Sequence, residues 1–469
     1  MANMVIRGVI PAIEQSPLTK RQKLLVGAAV VSNTVEFFDF FIVGFILTIV
    51  AKPWNLNFME SSIILLAGGV GSVIGSIVWG RIADKIGRRP CFIWTVVIFS
   101  VATALCAAVP DGHWLMFALL RVVVGFGVGG LPVVDIPLIA EFVPSKQRAM
   151  LSGLTVVFIP VGLFLGSLSA TLFGETIGWR GLLLIGLLPV LLAFPIRRIV
   201  RESPRWLIGQ GRLDEARESI AWYRYMDPAD VILPEAREVQ VSHDRKRNIF
   251  QRNRRALIVA TVGSFCFITG SSVIQAWGPT LLTLLMQITP AQAAQMFLLV
   301  SLCSLVGRLL TAKMSDVVGR KPVIISCGFI GAACLLIAAQ SGDVMILGAS
   351  LFFVAILGAT LFGDGAFGML NTFTSEMFNT EDRASGLGLA YGLGSTGKIF
   401  GPLLLGILSG GSNLVTPKAT ADALPSAFTV FGILLAVGAC MYFFAKETKG
   451  LPMDAEEPTI AATCPQVSA

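Results

Sequence analysis

Apolar runs long enough to cross a bilayer as helices recur along almost the whole chain, separated by short polar connections. A spanning helix needs about 20 apolar residues, because roughly 30 Å of hydrocarbon offers its backbone no other hydrogen-bond partner. By that measure the pattern predicts twelve spans, at 23–50, 60–81, 90–110, 114–141, 147–174, 179–200, 256–286, 290–312, 321–341, 344–376, 383–410 and 424–445. The longest polar stretch, 201–255, separates the first six from the last six. Within it Ser203-Pro204 offers an N-cap and a proline at the first helical position, and Gly209 and Gly211 stop that short helix. Leu213, Ala216, Ile220 and Tyr223 then share one face of a second helix reaching Tyr225, suited to lie on the membrane-embedded body or the headgroups. The expected organisation is a tail (1–22), a six-helix half (23–200), a linker (201–255), a second six-helix half (256–445) and a tail (446–469).

The two halves repeat a charged phrase. Gly80-Arg-Ile-Ala-Asp84-Lys-Ile-Gly87-Arg88-Arg89 returns without a gap as Ala312-Lys-Met-Ser-Asp316-Val-Val-Gly319-Arg320-Lys321. Further on, Glu141 and Arg148 are spaced as Glu376 and Arg383 are, each pair between the fourth and fifth spans of its half. Gly153, Gly162 and Gly166 answer to Gly388, Gly397 and Gly401, small residues that let helices approach closely in lipid. A gene duplication is the economical explanation.

Composition fits an integral membrane protein. The 469 residues are 54% hydrophobic and 14% charged, with a mean hydropathy of +0.76, whereas about 25% charged residues is usual for soluble domains. Met1 to Lys23 is polar and no small-residue cleavage site follows, so the first span is expected to double as the insertion signal. Lys and Arg concentrate in the termini and the loops after even-numbered spans, with Lys52, Arg180 and Lys418 on the other side. The positive-inside rule therefore predicts both termini in the cytoplasm and a multi-pass protein of the cell (inner) membrane. The net charge of +7 is topogenic on this reading. The basic clusters Arg245-Lys-Arg247 and Arg252-Asn-Arg-Arg255 do not indicate nucleic acid. Cysteines inside apolar spans, such as Cys91, Cys106 and Cys327, read as small hydrophobes, and with only His113 and His243 no metal site is expected.

The doubled motif resembles the signature of the major facilitator superfamily, and the resemblance covers nearly the whole chain. Arg121-Val-Val-Val-Gly125-Phe-Gly-Val-Gly-Gly130, Glu202-Ser-Pro-Arg-Trp-Leu207 leading to Gly211-Arg-Leu-Asp-Glu-Ala216, and Glu447-Thr-Lys-Gly450 look like its sugar-porter branch. The seventh span, Thr269-Gly-Ser-Ser-Val-Ile-Gln275-Ala-Trp277-Gly-Pro-Thr-Leu-Leu282, lacks the Gln-Gln pair that sugar porters use around the hexose. Its Trp277-Gly-Pro-Thr-Leu-Leu282 is similar to the aromatic-acid:proton symporters, and Ser32-Asn-Thr-Val-Glu36-Phe-Phe-Asp39 to the metabolite:proton symporters. The resemblance implies an all-α membrane protein of twelve helices in two pseudo-symmetric halves, a monomer rather than an enzyme, that moves a small molecule by alternating access.

Charge at mid-bilayer costs roughly 2.5–3.5 kcal/mol on insertion scales, so each intramembrane charge needs a partner, water or a function. The census singles out Glu36, Asp39, Arg121, Asp135, Asp364 and Lys398. Counting about 1.5 Å per residue from the cytoplasmic helix ends puts Asp39 roughly 24 Å up, Arg121 roughly 30 Å, Asp364 roughly 18 Å and Lys398 roughly 22 Å. Two pairs are expected, Asp39 with Arg121 and Asp364 with Lys398. In the sugar-porter branch an Asp of span 1 and the Arg of span 4 form the proton couple, which makes Asp39 the expected proton carrier with Arg121 and Glu36 beside it. A static ion pair is the competing reading. Lys398 with Gln275, Trp277, Tyr391, Asn371, Asp364 and Phe38 makes an expected substrate site for a carboxylate, with neutralisation of Lys398 by Asp364 as the competing reading. Asp135 reads as a gate residue. Asp84, Arg88, Glu141, Arg148, Asp316, Arg320, Glu376 and Arg383 read as a cytoplasmic latch tying the halves together in the outward-facing state.

Gly392-Leu-Gly-Ser-Thr-Gly-Lys398 mimics a phosphate-binding loop, but Ile399 stands where the magnesium-binding Ser or Thr is needed and the segment lies inside an apolar helix. ATP is excluded as a driver. The expected function is proton-coupled import of a small organic anion such as an aromatic or aliphatic carboxylate, with no cofactor and the proton as coupling ion. Sugar symport and drug or metabolite antiport are the alternatives.

Overall fold

The computed structural model describes residues 10–14, 17–188, 191, 198–233, 253–342, 344–346, 349–378 and 383–449. The first half forms α1 (Lys20–Val50), α2 (Phe58–Ile86), α3 (Arg88–Ala107), α4 (Trp114–Val128), α5 (Leu131–Phe142), α6 (Ser145–Val157) and α7 (Ile159–Ile185). Between the halves lie α8 (Pro204–Gly209) and α9 (Leu213–Arg224). The second half forms α10 (Arg254–Leu285), α11 (Pro290–Val317), α12 (Arg320–Gln340), α13 (Leu351–Ala359), α14 (Phe367–Glu376), α15 (Arg383–Gly394), α16 (Gly397–Leu408) and α17 (Pro417–Met441). A two-residue hairpin, Met345–Ile346 with Ala349–Ser350, precedes α13.

Ten helical runs among the described residues are long and apolar enough to cross a membrane. The two missing from the predicted twelve have identifiable reasons. The sixth, 179–200, continues α7 past a bend at Gly178 (φ 64°) and passes out of the described residues at 189–190 and 192–197. The eleventh, 383–410, is broken between α15 and α16 at Ser395-Thr396. Its glycines at 392, 394 and 397 weaken the helix there, and Pro402 in the next turn supplies no N–H. Span 10 is likewise interrupted, by a π-helical turn at Thr360–Asp364 that connects α13 to α14.

Helix packing is closest where two glycine seams meet backbone. A methyl group built on Gly125 of α4 lies 2.0 Å from the Gly68 carbonyl oxygen of α2, and one on Gly368 of α14 lies 2.0 Å from the Arg308 carbonyl oxygen of α11. Corresponding helices of the two halves thus use the same device. The small-residue seam holds α4 against α2 and α14 against α11, which fixes the height of the charged residues they carry.

The short linker helices form as their residues dictate. Ser203 accepts the Trp206 N–H at 3.0 Å as N-cap of α8, and α9 ends at Tyr225 in the left-handed region (φ 56°). Ala216, Ile220 and Tyr223 are buried, while Leu213 stays exposed. The buried face lies on the helical body: the Tyr223 ring packs on Phe142 with centroids 4.3 Å apart, and Thr19 Oγ1 donates to the Tyr223 carbonyl at 2.6 Å. Residues 234–252 of the linker, and 1–9, 15–16 and 450–469 of the tails, lie outside the described residues.

On the face opposite α8 and α9 the halves are sealed together. Phe58 N–H donates to Asn413 O at 3.0 Å, Met59 N–H to Gly411 O at 3.0 Å and Val415 N–H to Leu56 O at 3.1 Å. Beneath this backbone seam Phe58 packs on Trp277 (5.8 Å between centroids) and Phe45 on Phe297 (5.6 Å), and Ser62 Oγ donates to the Pro402 carbonyl at 2.8 Å. On this geometry Gly125→Ala should destabilise the fold by about 1–3 kcal/mol, since the opposing atom is backbone and cannot step aside. Gly174→Ala, where nothing lies within 4 Å, should be neutral or mildly stabilising; thermal unfolding of the two detergent-solubilised variants checks the contrast.

Candidate functional site

A cavity of about 70 Å³ lies between the halves, bounded mainly by α1 and α10. Its wall includes five aromatic residues, Phe37, Phe40, Phe41, Phe367 and Tyr391, and it carries four charged side chains, Arg121, Arg308, Asp364 and Lys398. The cavity is closed off from the opposite face by the seam just described.

The first-half pair is formed. Arg121 Nη1 donates to Asp39 Oδ2 at 3.1 Å and Arg121 Nη2 to the Asp39 backbone carbonyl at 3.2 Å. Thr103 Oγ1 on α3 donates to Asp39 Oδ1 at 2.7 Å. Asp39 is fully buried behind Arg121, and Arg121 itself lines the cavity. Three helices thus converge on one carboxylate, while Arg121 Nε has no hydrogen-bond partner among the described residues.

The second-half pair is a different one from that expected. Asp364 does not meet Lys398; it pairs with Arg308 of α11, whose Nη2 lies 3.2 Å from both carboxylate oxygens and whose Nε lies 3.3 Å from Oδ2. Gln275 Nε2 donates to Asp364 Oδ1 at 2.7 Å, and Ser304 Oγ donates to Oδ2. Both ionic partners are buried. Arg308 also reaches across to the other half, where its Nη1 donates to the Val156 carbonyl at 2.8 Å. Arg308 is the residue the sequence reading missed, although it lies inside the predicted span 290–312; α11 runs on to Val317 and so carries it well away from the helix end. The expected pairing fails because counting rise gives height and not direction. Asp364 closes the π-helical turn, which advances the chain around the axis and aims its carboxyl at α11.

Lys398 is left facing the cavity. Its Nζ lies 5.4 Å from the Phe37 ring centroid and 5.6 Å from that of Phe40. Among the described residues no carboxylate comes within ion-pair distance of it. Gln275, Asn371 and Tyr391 line the same cavity, and Asn371 Oδ1 has no hydrogen-bond partner among the described residues. Two expected neighbours are elsewhere. Trp277 is fully buried against Phe58, about 200° around α10 from Gln275 at 100° per residue. Phe38 is buried on the face of α1 turned to α7, where its backbone touches Gly162.

Glu36 and Asp135 are both buried behind this wall. Asn33 Nδ2 donates to Asp135 Oδ2. Neither Glu36 oxygen, nor Asp135 Oδ1, has a hydrogen-bond partner among the described residues.

The repeated motifs form two matching clusters on the face of α8 and α9. In the first, Gly87 (φ 102°) turns the chain so that the N–H groups of Arg88 and Arg89 donate to Glu202 at 2.8 and 3.3 Å, while Arg88 and Ser203 both bond Glu141. In the second, Gly319 (φ 126°) does the same for Arg320 and Lys321, which donate to Glu447 at 2.9 and 3.0 Å. Arg320 meets Glu376 at 3.4 Å and Asp316 at 2.6 Å, and Thr448 Oγ1 donates to Glu376 at 2.5 Å. Glu202-Ser203 and Glu447-Thr448 are therefore structural counterparts, a match the sequence quotes without revealing. Asp84 is exposed and offers its carbonyl to Trp206 Nε1 at 3.0 Å. These pairs lie within each half, in a state sealed on the opposite face; the latch across the halves was expected of the other state. The side chains of Arg148 and Arg383 lie outside the described residues.

The sequence pattern described as "Sugar (and other) transporter" matches residues 24–458. A niacin transporter of Acinetobacter baylyi is 31% identical over 458 residues, covering 95% of this chain and 99% of its own. A putative niacin/nicotinamide transporter of Bacillus subtilis is 28% identical over 441 residues, covering 93% and 98%. Among solved structures, the xylose transporter of E. coli in a partially occluded inward-open conformation shares the fold with a TM-score of 0.70 at 19% identity, covering 92% of this chain and 100% of its own.

Two tests follow from the ion pairs. Arg308→Met should destabilise by about 3–5 kcal/mol, because it strands a buried carboxylate, and adding Asp364→Asn should recover much of the loss in a thermal-unfolding double-mutant cycle. For Glu447, burial pushes the carboxyl up, but the N–H groups of Lys449, Arg320, Lys321 and Thr448 outweigh it and hold the group below its ordinary value. A depressed carboxyl stabilises above its unfolded value of about 4.3 and loses that contribution as pH falls. The wild-type thermal midpoint should therefore drop more steeply than that of Glu447→Gln between about pH 5 and pH 3.

Proposed function

The chain belongs to the sugar (and other) transporter family of the major facilitator superfamily, and from that premise we propose that it imports a small organic anion, an aromatic monocarboxylate first among them, together with a proton. The observation that carries this reading is Lys398. The other charges in the cavity wall are already matched, Arg121 by Asp39 and Arg308 by Asp364, whereas the Lys398 ammonium stands between two phenylalanine rings with no carboxylate in ion-pair contact. A carboxylate on a flat ring satisfies both features, the charge by Lys398 and the ring by the aromatic wall. The names of the niacin-transporting relatives support the same class, since niacin is a pyridine monocarboxylate. The absence of the sugar-porter Gln-Gln pair speaks against a hexose.

Asp39 is the proton carrier on this reading. Its carboxylate is held by Arg121 and Thr103 while the cavity is shut from the opposite face, and a proton from the high-proton side releases Arg121 and lets the halves rock. On this reading both termini lie on the cytoplasmic side of the cell membrane, which the basic loops support, and the carrier works as a monomer. In proteoliposomes, accumulation of labelled nicotinate should require an inward proton gradient. Asp39→Asn should abolish accumulation while nicotinate exchange continues; accumulation at wild-type levels would remove Asp39 from the mechanism. Lys398→Met should weaken nicotinate binding by roughly 10- to 150-fold, the worth of a charge-assisted hydrogen bond of about 1.5–3 kcal/mol.

A further inference from the structure

Glu36 belongs to neither ion pair, yet it is 0% exposed and both of its carboxyl oxygens lack a hydrogen-bond donor among the described residues. A bare carboxylate in such a setting needs an opposite charge nearby or a proton. The charged and titratable groups facing it are Asp135 from α5, Lys398 from α16 and Asp39 from its own helix. Two are acids, and Asp39 is already held by Arg121. Among the described residues Lys398 is thus the only cation facing Glu36, and Glu36 the acid facing Lys398 that no other cation holds. They do not touch. The ammonium sits over Phe37 and Phe40, the residue after Glu36 and the residue one helical turn beyond it, so acid and cation meet across the cavity wall.

We propose that Glu36 and the carboxylate of the substrate are alternative counter-charges for Lys398, so that an anion occupies the cavity only when a proton has neutralised Glu36. This rests on the carboxylate reading above and adds a second, separate proton site to it. With the cavity empty, ionised Glu36 balances Lys398. When the anion arrives, Lys398 is shared by two carboxylates unless one is protonated, and Glu36, buried without donors, is the one that takes the proton from water. Asp39 and Arg121 stay paired throughout this step. Binding then carries its own proton linkage, apart from the conformational one at Asp39.

The test is nicotinate binding to the purified full-length protein between pH 5.5 and 8.5. Wild-type affinity should fall about tenfold per pH unit once Glu36 ionises, the slope for one linked proton. Calorimetry in buffers of different ionisation enthalpy should find about one proton taken up per nicotinate at the alkaline end. Glu36→Gln, which mimics the protonated acid, should bind tightly with a flat pH profile and no proton uptake, whereas Asp135→Asn should keep the wild-type slope. A wild-type slope in Glu36→Gln, a flat profile in Asp135→Asn, or no proton uptake by wild type overturns the proposal and leaves the carboxylate reading standing. Wild type that binds neither nicotinate nor benzoate at any pH overturns both. If Glu36→Gln does not fold, wild-type proton uptake that survives in Asp135→Asn supports the proposal, and its loss there overturns it.

Discussion

A charge placed among apolar helices has to be matched from within the protein, because neither lipid tails nor a hydrophobic wall will solvate it. In this chain that constraint acts at one level of the structure, where two guanidinium groups and two carboxylates flank a single cavity and cancel each other half by half. Once those four are matched, the chemistry of the cavity is set by the remainder. The remainder is an ammonium group, a fully buried acid and several phenylalanines, the features on which the proposed anion reading rests.

The two ion pairs are not copies of one another. In the first half the acid comes from α1 and the base from α4; in the second the base comes from α11 and the acid from the turn before α14. The scaffold around them is symmetric, down to the backbone contacts of Gly125 and Gly368 and the paired acid-binding turns at Gly87 and Gly319. Both halves share one frame, and the charged residues set within it differ. Arg308 adds a further asymmetry by hydrogen-bonding Val156 of the other half, so the second-half pair is the one tied to the relative position of the halves.

Much of this was legible in the sequence because it follows from periodicity and repetition. Span positions, the capped linker helices and the Asp39–Arg121 pair all come from apolar run length, cap residues or a motif with a fixed helical position. What escaped depends on angle around a helix axis. Asp364 and Lys398 stand at similar heights, but the π-helical turn ending at Asp364 rotates its carboxyl to α11. Gln275 and Trp277 are two residues apart and face opposite ways, one into the cavity and one into the packed core. Arg308 was visible as a charge inside a predicted span, and only the extension of α11 to Val317 shows how far from the helix end it lies. Local breaks at glycine, proline and π turns are where linear counting stops giving direction.

The seam between residues 56–59 and 411–415 closes one entrance to the cavity with main-chain hydrogen bonds. Peptide groups are the same whatever side chains they carry. Residues around Lys398 can therefore be exchanged without removing a donor or an acceptor from this main-chain closure.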